Sequence, residues 1–149
     1  RKDRTMAEAE NTARPASEER GEVSLVLDGA TMALRPSYEA IFAFEASTDK
    51  GLLELARAAL EGKMRLADLS QVVTECIRAW GRATQQPSIA ASNAVRIGQL
   101  IVEAEGGMAR VLGIVSGMLS MAVTGNFTAS GEVKAGTTTT TTSEVPAES

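Results

Sequence analysis

The sequence contains no histidine and one cysteine, and its aromatic residues are one tryptophan, one tyrosine and three phenylalanines. Without histidine there is no His-based triad, no imidazole acid or base, and no His-containing metal site. The single thiol, Cys76, can form neither an intrachain disulfide nor a thiolate cluster, which fits a reducing compartment. A cationic excess is missing too. Fifteen Lys and Arg stand against nineteen Asp and Glu, with the two signs interspersed, so no basic stripe is available to neutralise phosphates. That argues against nucleic acid as a partner. Long apolar runs are also absent. The most apolar stretch, 111–123, is shorter than the roughly 20 residues of a membrane-spanning helix and is interrupted by glycine. Residues 1–20 lack the apolar centre of a signal peptide, so the expectation is a soluble protein with no membrane partner.

The motifs of catalysis are equally sparse. Gly106-Gly107 is followed by no Gly-Lys-Ser/Thr and makes no phosphate loop, and no dinucleotide fingerprint follows a strand. Ser24, Ser37 and Ser47 have no histidine base. Glu39 and Glu45 are six residues apart on one helix, so their carboxylates do not converge. No residue qualifies as catalytic, cofactor-binding or metal-ligating, and the expectation is a protein that is not an enzyme.

What is there begins with a hairpin. The strands 22–27 and 30–35 alternate apolar and polar residues on either side of Asp28-Gly29. An Asp-Gly loop suits a type I′ turn, whose two central residues need positive φ. With that loop, Leu27 faces Ala30, Leu25 faces Met32, Val23 faces Leu34 and Glu22 faces Arg35, which puts the large apolar pairs on one face. Pro36 then stops the strand and Ser37 caps a helix over 38–45. Tyr38, Phe42 and Phe44 on this helix read as core packing against the hairpin.

Four more helices are expected. The first runs over 52–61, with Leu52, Leu53, Ala56, Ala59 and Leu60 inward and Gly62 as its stop. The second carries Leu69, Val72, Val73, Cys76, Ile77 and Trp80 at helical spacing and is bounded by Gly81. The third is capped by Ser88, runs over 89–105, and is broken by Gly106-Gly107.

The fifth helix of the set, over 108–123, has Arg110 as its only ionic side chain. One of its faces is small: Ala109, Gly113, Ser116, Gly117 and Ser120. Such a face lets another backbone come close, either the preceding helix of this chain or a partner's helix. The other face is bulky, and Met108, Val111, Leu112, Val115, Met118 and Leu119 are its candidate partner-binding residues. A face this apolar must meet the domain core, a second copy of the chain, or another protein. The fold class is therefore α+β, an N-terminal antiparallel β-hairpin packed on a cluster of four to five helices. The single domain spans 21–124, between a mobile arm at 1–20 and a disordered threonine-rich tail at 125–149.

The hairpin and the segments after it carry a resemblance. Gly21-Glu22-Val23, Leu27-Asp28-Gly29, Leu34-Arg35-Pro36-Ser37-Tyr38-Glu39-Ala40 and Phe44-Glu45-Ala46 look like the opening of the gene-transfer-agent tail proteins. These are grouped with the phage tail-assembly chaperones and sometimes labelled tail tube proteins. The likeness continues through Leu55-Ala56, Gly62-Lys63, Leu66-Ala67-Asp68-Leu69 and Ile77-Arg78-Ala79, covering 21–82 and extending to about 105. It implies a non-enzymatic role in building a tail, in the cytoplasm of a bacterial host. No cofactor is implied, and the partners would be the tape-measure protein, another tail protein, or a second copy. A chaperone of this kind coats the apolar helices of the tape-measure protein until tube subunits polymerise around it. The alternative is a structural component of the virion tail, such as a tube or tail-completion subunit.

Overall fold

The computed structural model describes residues 22–132 and 134, so the arm expected at 1–20, and all of the tail expected at 125–149 except 125–132 and 134, lie outside the described residues. Strands β1 (Val23–Leu27) and β2 (Ala30–Leu34) pair antiparallel in the predicted register, Leu25 opposite Met32 and Val23 opposite Leu34. Asp28 and Gly29 have φ of 52° and 74°, as a type I′ turn requires. Leu25, Leu27 and Leu34 are buried. At the open end Arg35 pairs with Glu22 at 3.2 Å. The backbone N–H of Arg35 donates to the carbonyl of Cys76 at 3.1 Å, which fastens the hairpin to the central helix.

Helix α1 (Tyr38–Thr48) starts as expected, with the Ser37 hydroxyl accepting from Ala40 N–H at 3.2 Å. Its aromatics divide. Phe44 is fully buried, while Tyr38 and Phe42 are 56 % and 59 % exposed and contact each other with ring centroids 4.6 Å apart. The expectation of three core aromatics is thus corrected to one. Ala40, Phe44 and Thr48 form the inward row, and a residue two positions from Phe44 lies about 200° around the helix.

Helix α2 (Leu52–Leu60) buries Leu55, Ala56 and Ala59 and leaves Leu53 and Leu60 exposed, a second correction. Its four leucines occupy more than one face, so periodicity alone does not choose the inward side. Helix α3 (Leu66–Ala83) is the axis of the domain, with Leu69, Val72, Val73, Cys76, Ile77 and Trp80 all inaccessible to solvent. It does not end at Gly81. A Cβ there would lie 2.5 Å from the nitrogen of Ala90, so this glycine is a notch that admits the next segment against the helix.

That segment also differs from expectation. The single helix expected over 89–105 is two: one turn, α4 (Pro87–Ala90), and α5 (Ala94–Glu103). Asn93, not Ser88, is the effective cap, accepting from Arg96 N–H at 3.0 Å. Between them the carbonyl of Ser92 accepts from Arg78 Nε at 2.8 Å. Gly106 and Gly107, at φ of 84° and 65°, reverse the chain into α6 (Gly107–Val123). The result is a two-stranded hairpin and six helices among the described residues, one of them a single turn. Helix α3 lies between α1, β2, α4 and α5, and α6 packs on α2, α5 and β1.

Candidate functional site

The six candidate residues of α6 fall on its inward side. Val111, Val115 and Leu119 are inaccessible and Met118 is 1 % exposed; Met108 and Leu112 are partly buried against the same core. Burial of branched and long aliphatic side chains against α2, α5 and β1 is the larger energetic gain, about 1.5–3 kcal/mol each, and it determines which face turns in. The bulky face therefore completes the bundle and is not presented to a partner in this fold.

The small face points outward. Ala109, Gly113 and Gly117 are exposed, and a Cβ added at either glycine would meet nothing within 4 Å. Of the two alternatives for this face, the preceding helix does not fill it at Gly113 and Gly117.

Two grooves remain. The first, of about 510 Å³, lies between the N-terminal half of α3 and helix α5. Leu66 and Ala67 form one wall, Val95 and Val102 the other, and Gly98 lies in the floor. There the two helices come close: a Cβ at Gly98 would lie 3.3 Å from the Ser70 hydroxyl, which itself hydrogen-bonds the carbonyl of Ala94. Val95 and Val102, seven residues apart and thus on one face of α5, are 81 % and 56 % exposed. Both are apolar positions of the helix expected over 89–105. Packing of α5 on α3 and α6 turns Ile97, Leu100 and Ile101 inward and leaves the two valines outside. The second groove, of about 540 Å³, runs past Arg35, Tyr38, Glu39 and Arg82 to Ala129 and Ser130.

Neither groove holds an activated nucleophile. Cys76 is buried elsewhere, and desolvation, with the adjacent Glu75 carboxylate adding to it, holds its thiol far above the usual range. Glu75 itself accepts from Arg78 at 2.9 Å. Among the described residues no three acidic or thiol side chains gather as a metal site would need. No single described helix is long and apolar enough to cross a membrane, and α5 and α6 are bent by 115° relative to each other.

The fold defines a small α+β domain whose prominent surface features are apolar grooves and helix faces, the means by which proteins meet other proteins. Residues 20–125 match the family described as phage tail tube protein, GTA-gp10, and the chain belongs to that family. The match begins at the hairpin and ends just past α6, so it reaches beyond the limit of about 105 drawn from the sequence and takes in α6. No curated protein and no solved structure gives a significant match.

Proposed function

We propose that this protein takes part in tail morphogenesis by binding and not by catalysis, as a tail-assembly chaperone for the apolar helices of the tape-measure protein. The observation that carries this reading is the α3/α5 groove, with two valines exposed along one wall and Gly98 where the helices meet. A groove of this shape takes the apolar stripe of an amphipathic helix, whose anchors recur at i, i+3 or i+4, and i+7. The groove lies wholly inside the family match. In this reading the protein acts in the cytoplasm of the bacterial host, before the tail is complete.

The test uses exposed positions, so that the fold is not at stake. Val95→Asp together with Val102→Asp should abolish co-purification with a tape-measure fragment while the circular dichroism spectrum is unchanged. Retained co-purification would remove the groove from the proposal. The second reading, a structural component of the virion tail, is favoured by the family's own description as a tail tube protein. Stoichiometric copies in purified particles would support it, and absence from particles would support the chaperone.

A further inference from the structure

Residues 126–132 come after α6 and lie beyond the family match, yet they are attached to the domain at three points. The segment first closes on itself. Gly131 N–H donates to the Thr128 carbonyl at 2.9 Å, Thr128 N–H donates to the Glu132 carbonyl at 2.7 Å, and Lys134 N–H donates to the Asn126 carbonyl at 2.9 Å. Closed in this way, it sits on the turn between β2 and α1. Tyr38 N–H, an amide that α1 itself leaves unpaired, donates to the Ala129 carbonyl at 2.8 Å. Gly131, at φ +96°, approaches so closely that a Cβ would lie 3.1 Å from Ser37 N and 3.2 Å from the carbonyl carbon of Pro36. The Glu132 carboxylate lies 3.8 Å from the Arg35 guanidinium.

This seat is selective but shallow. It selects a carbonyl, a glycine and a carboxylate at positions 129, 131 and 132. The segment's one large apolar side chain, Phe127, is only half-buried, Ala129 and Ser130 are exposed, and the Glu132 side chain is 47 % exposed. Thr124 and Gly125, the latter at φ +78°, join the segment to α6. Contacts of this kind open and reclose without disturbing the core.

We infer that residues 126–132 form a detachable clip, and that the clip of one copy takes the seat of another when copies are crowded. Every copy carries both the seat and the sequence that fits it, so the bonds made within one copy and between two are the same. Concentration then decides between them. A short tether holds a clip near its own seat at an effective concentration of about 1 mM, so dilute copies close on themselves and denser arrays exchange. The inference requires neither the α3/α5 groove nor a tape-measure partner.

The test uses the full chain carrying Arg35→Lys, which keeps a cation facing Glu22 and Glu132 and adds an amine that a carbodiimide couples to a neighbouring carboxylate. Unlabelled and ¹⁵N-labelled chains are mixed and coupled at about 10 μM and at about 5 mM, concentrations that bracket the tether's effective value. Linked peptides are then sorted by mass. Linkage of Lys63 to Glu61, an exposed pair 3.8 Å apart, is the internal reference and stays within one isotope at both concentrations. Linkage to Glu132 should be same-isotope when dilute and become mixed-isotope, up to about half of the product, when concentrated. Gly131→Val should remove the Glu132 linkage at both concentrations and leave the Lys63–Glu61 linkage intact. A Glu132 linkage that stays same-isotope at the higher concentration would overturn exchange. Its absence at both concentrations would overturn the seat, and mixed linkage persisting in Gly131→Val would assign association to some other surface.

Discussion

At the scale of single residues, Arg35 and Cys76 show how local chemistry is set by place. Arg35 ends β2, pairs with Glu22 and Glu132, and passes its backbone N–H to the carbonyl of Cys76. One residue thereby ties the start of the hairpin, the end of the described chain and the middle of α3 to a common point. Cys76 itself is sealed. Because its thiol is held protonated far above its ordinary range in the folded state, the folded chain binds a proton that the unfolded chain releases above about pH 9. Stability from this group is therefore complete below that pH and falls above it, by at most about 1.4 kcal/mol per pH unit. Urea unfolding should show the wild-type chain losing about 1 kcal/mol more than Cys76→Ala between pH 9 and pH 10. Equal losses in the two would mean that the thiol is reached by solvent.

At the scale of elements, glycines of one type have opposite meanings. Gly81 lies in α3 where a Cβ would strike the α4 backbone at 2.5 Å, and backbone yields poorly, so Gly81→Ala should destabilise by about 1–3 kcal/mol. Gly113 and Gly117 lie in α6 with open space around them. There Gly→Ala removes only the entropic penalty of glycine in a helix, and each change should stabilise by about 0.5–1 kcal/mol. Denaturant midpoints of the three single variants check the signs together. The sequence shows a glycine but not what stands beside it, which is why Gly81 reads as a helix stop and Gly113 as a contact. The same distinction separates what was legible from what was not. The hairpin could be read residue by residue because Asp28-Gly29 fixes its register, and the inward row of α3 because its spacing admits one face. Helices α2 and α6 are apolar nearly all round, so their inward sides depend on neighbours that lie far away in the chain. The α3/α5 groove was hidden for a smaller reason: Val95 and Val102 are as apolar as Ile97 and Ile101, and only the neighbours of α5 decide which of them turn inward.

At the scale of the molecule, the core and the family match have nearly the same limits. The buried apolar residues run from Leu25 to Leu119, and the match runs from 20 to 125. Residues 126–132 add a half-buried Phe127 and polar contacts at one pole: the Tyr38 amide to Ala129, and a half-exposed carboxylate facing Arg35. The amide contact is an ordinary hydrogen bond of about 1 kcal/mol, and an ion pair this exposed adds little. Arg35 keeps Glu22 when Glu132 is gone, so no buried charge is stranded. A chain ending at Gly125 should therefore fold, with its helix content preserved and its thermal midpoint lowered by about 4–8 °C. Circular dichroism melting of the shortened and full chains measures this. A shortened chain that fails to fold would show that the polar contacts at Arg35 hold the hairpin against α3, and the domain would then extend to Glu132. A shortened chain with an unchanged midpoint would show that the clip is bound too weakly to count in the isolated protein, leaving the hairpin and six helices to account for all of its stability.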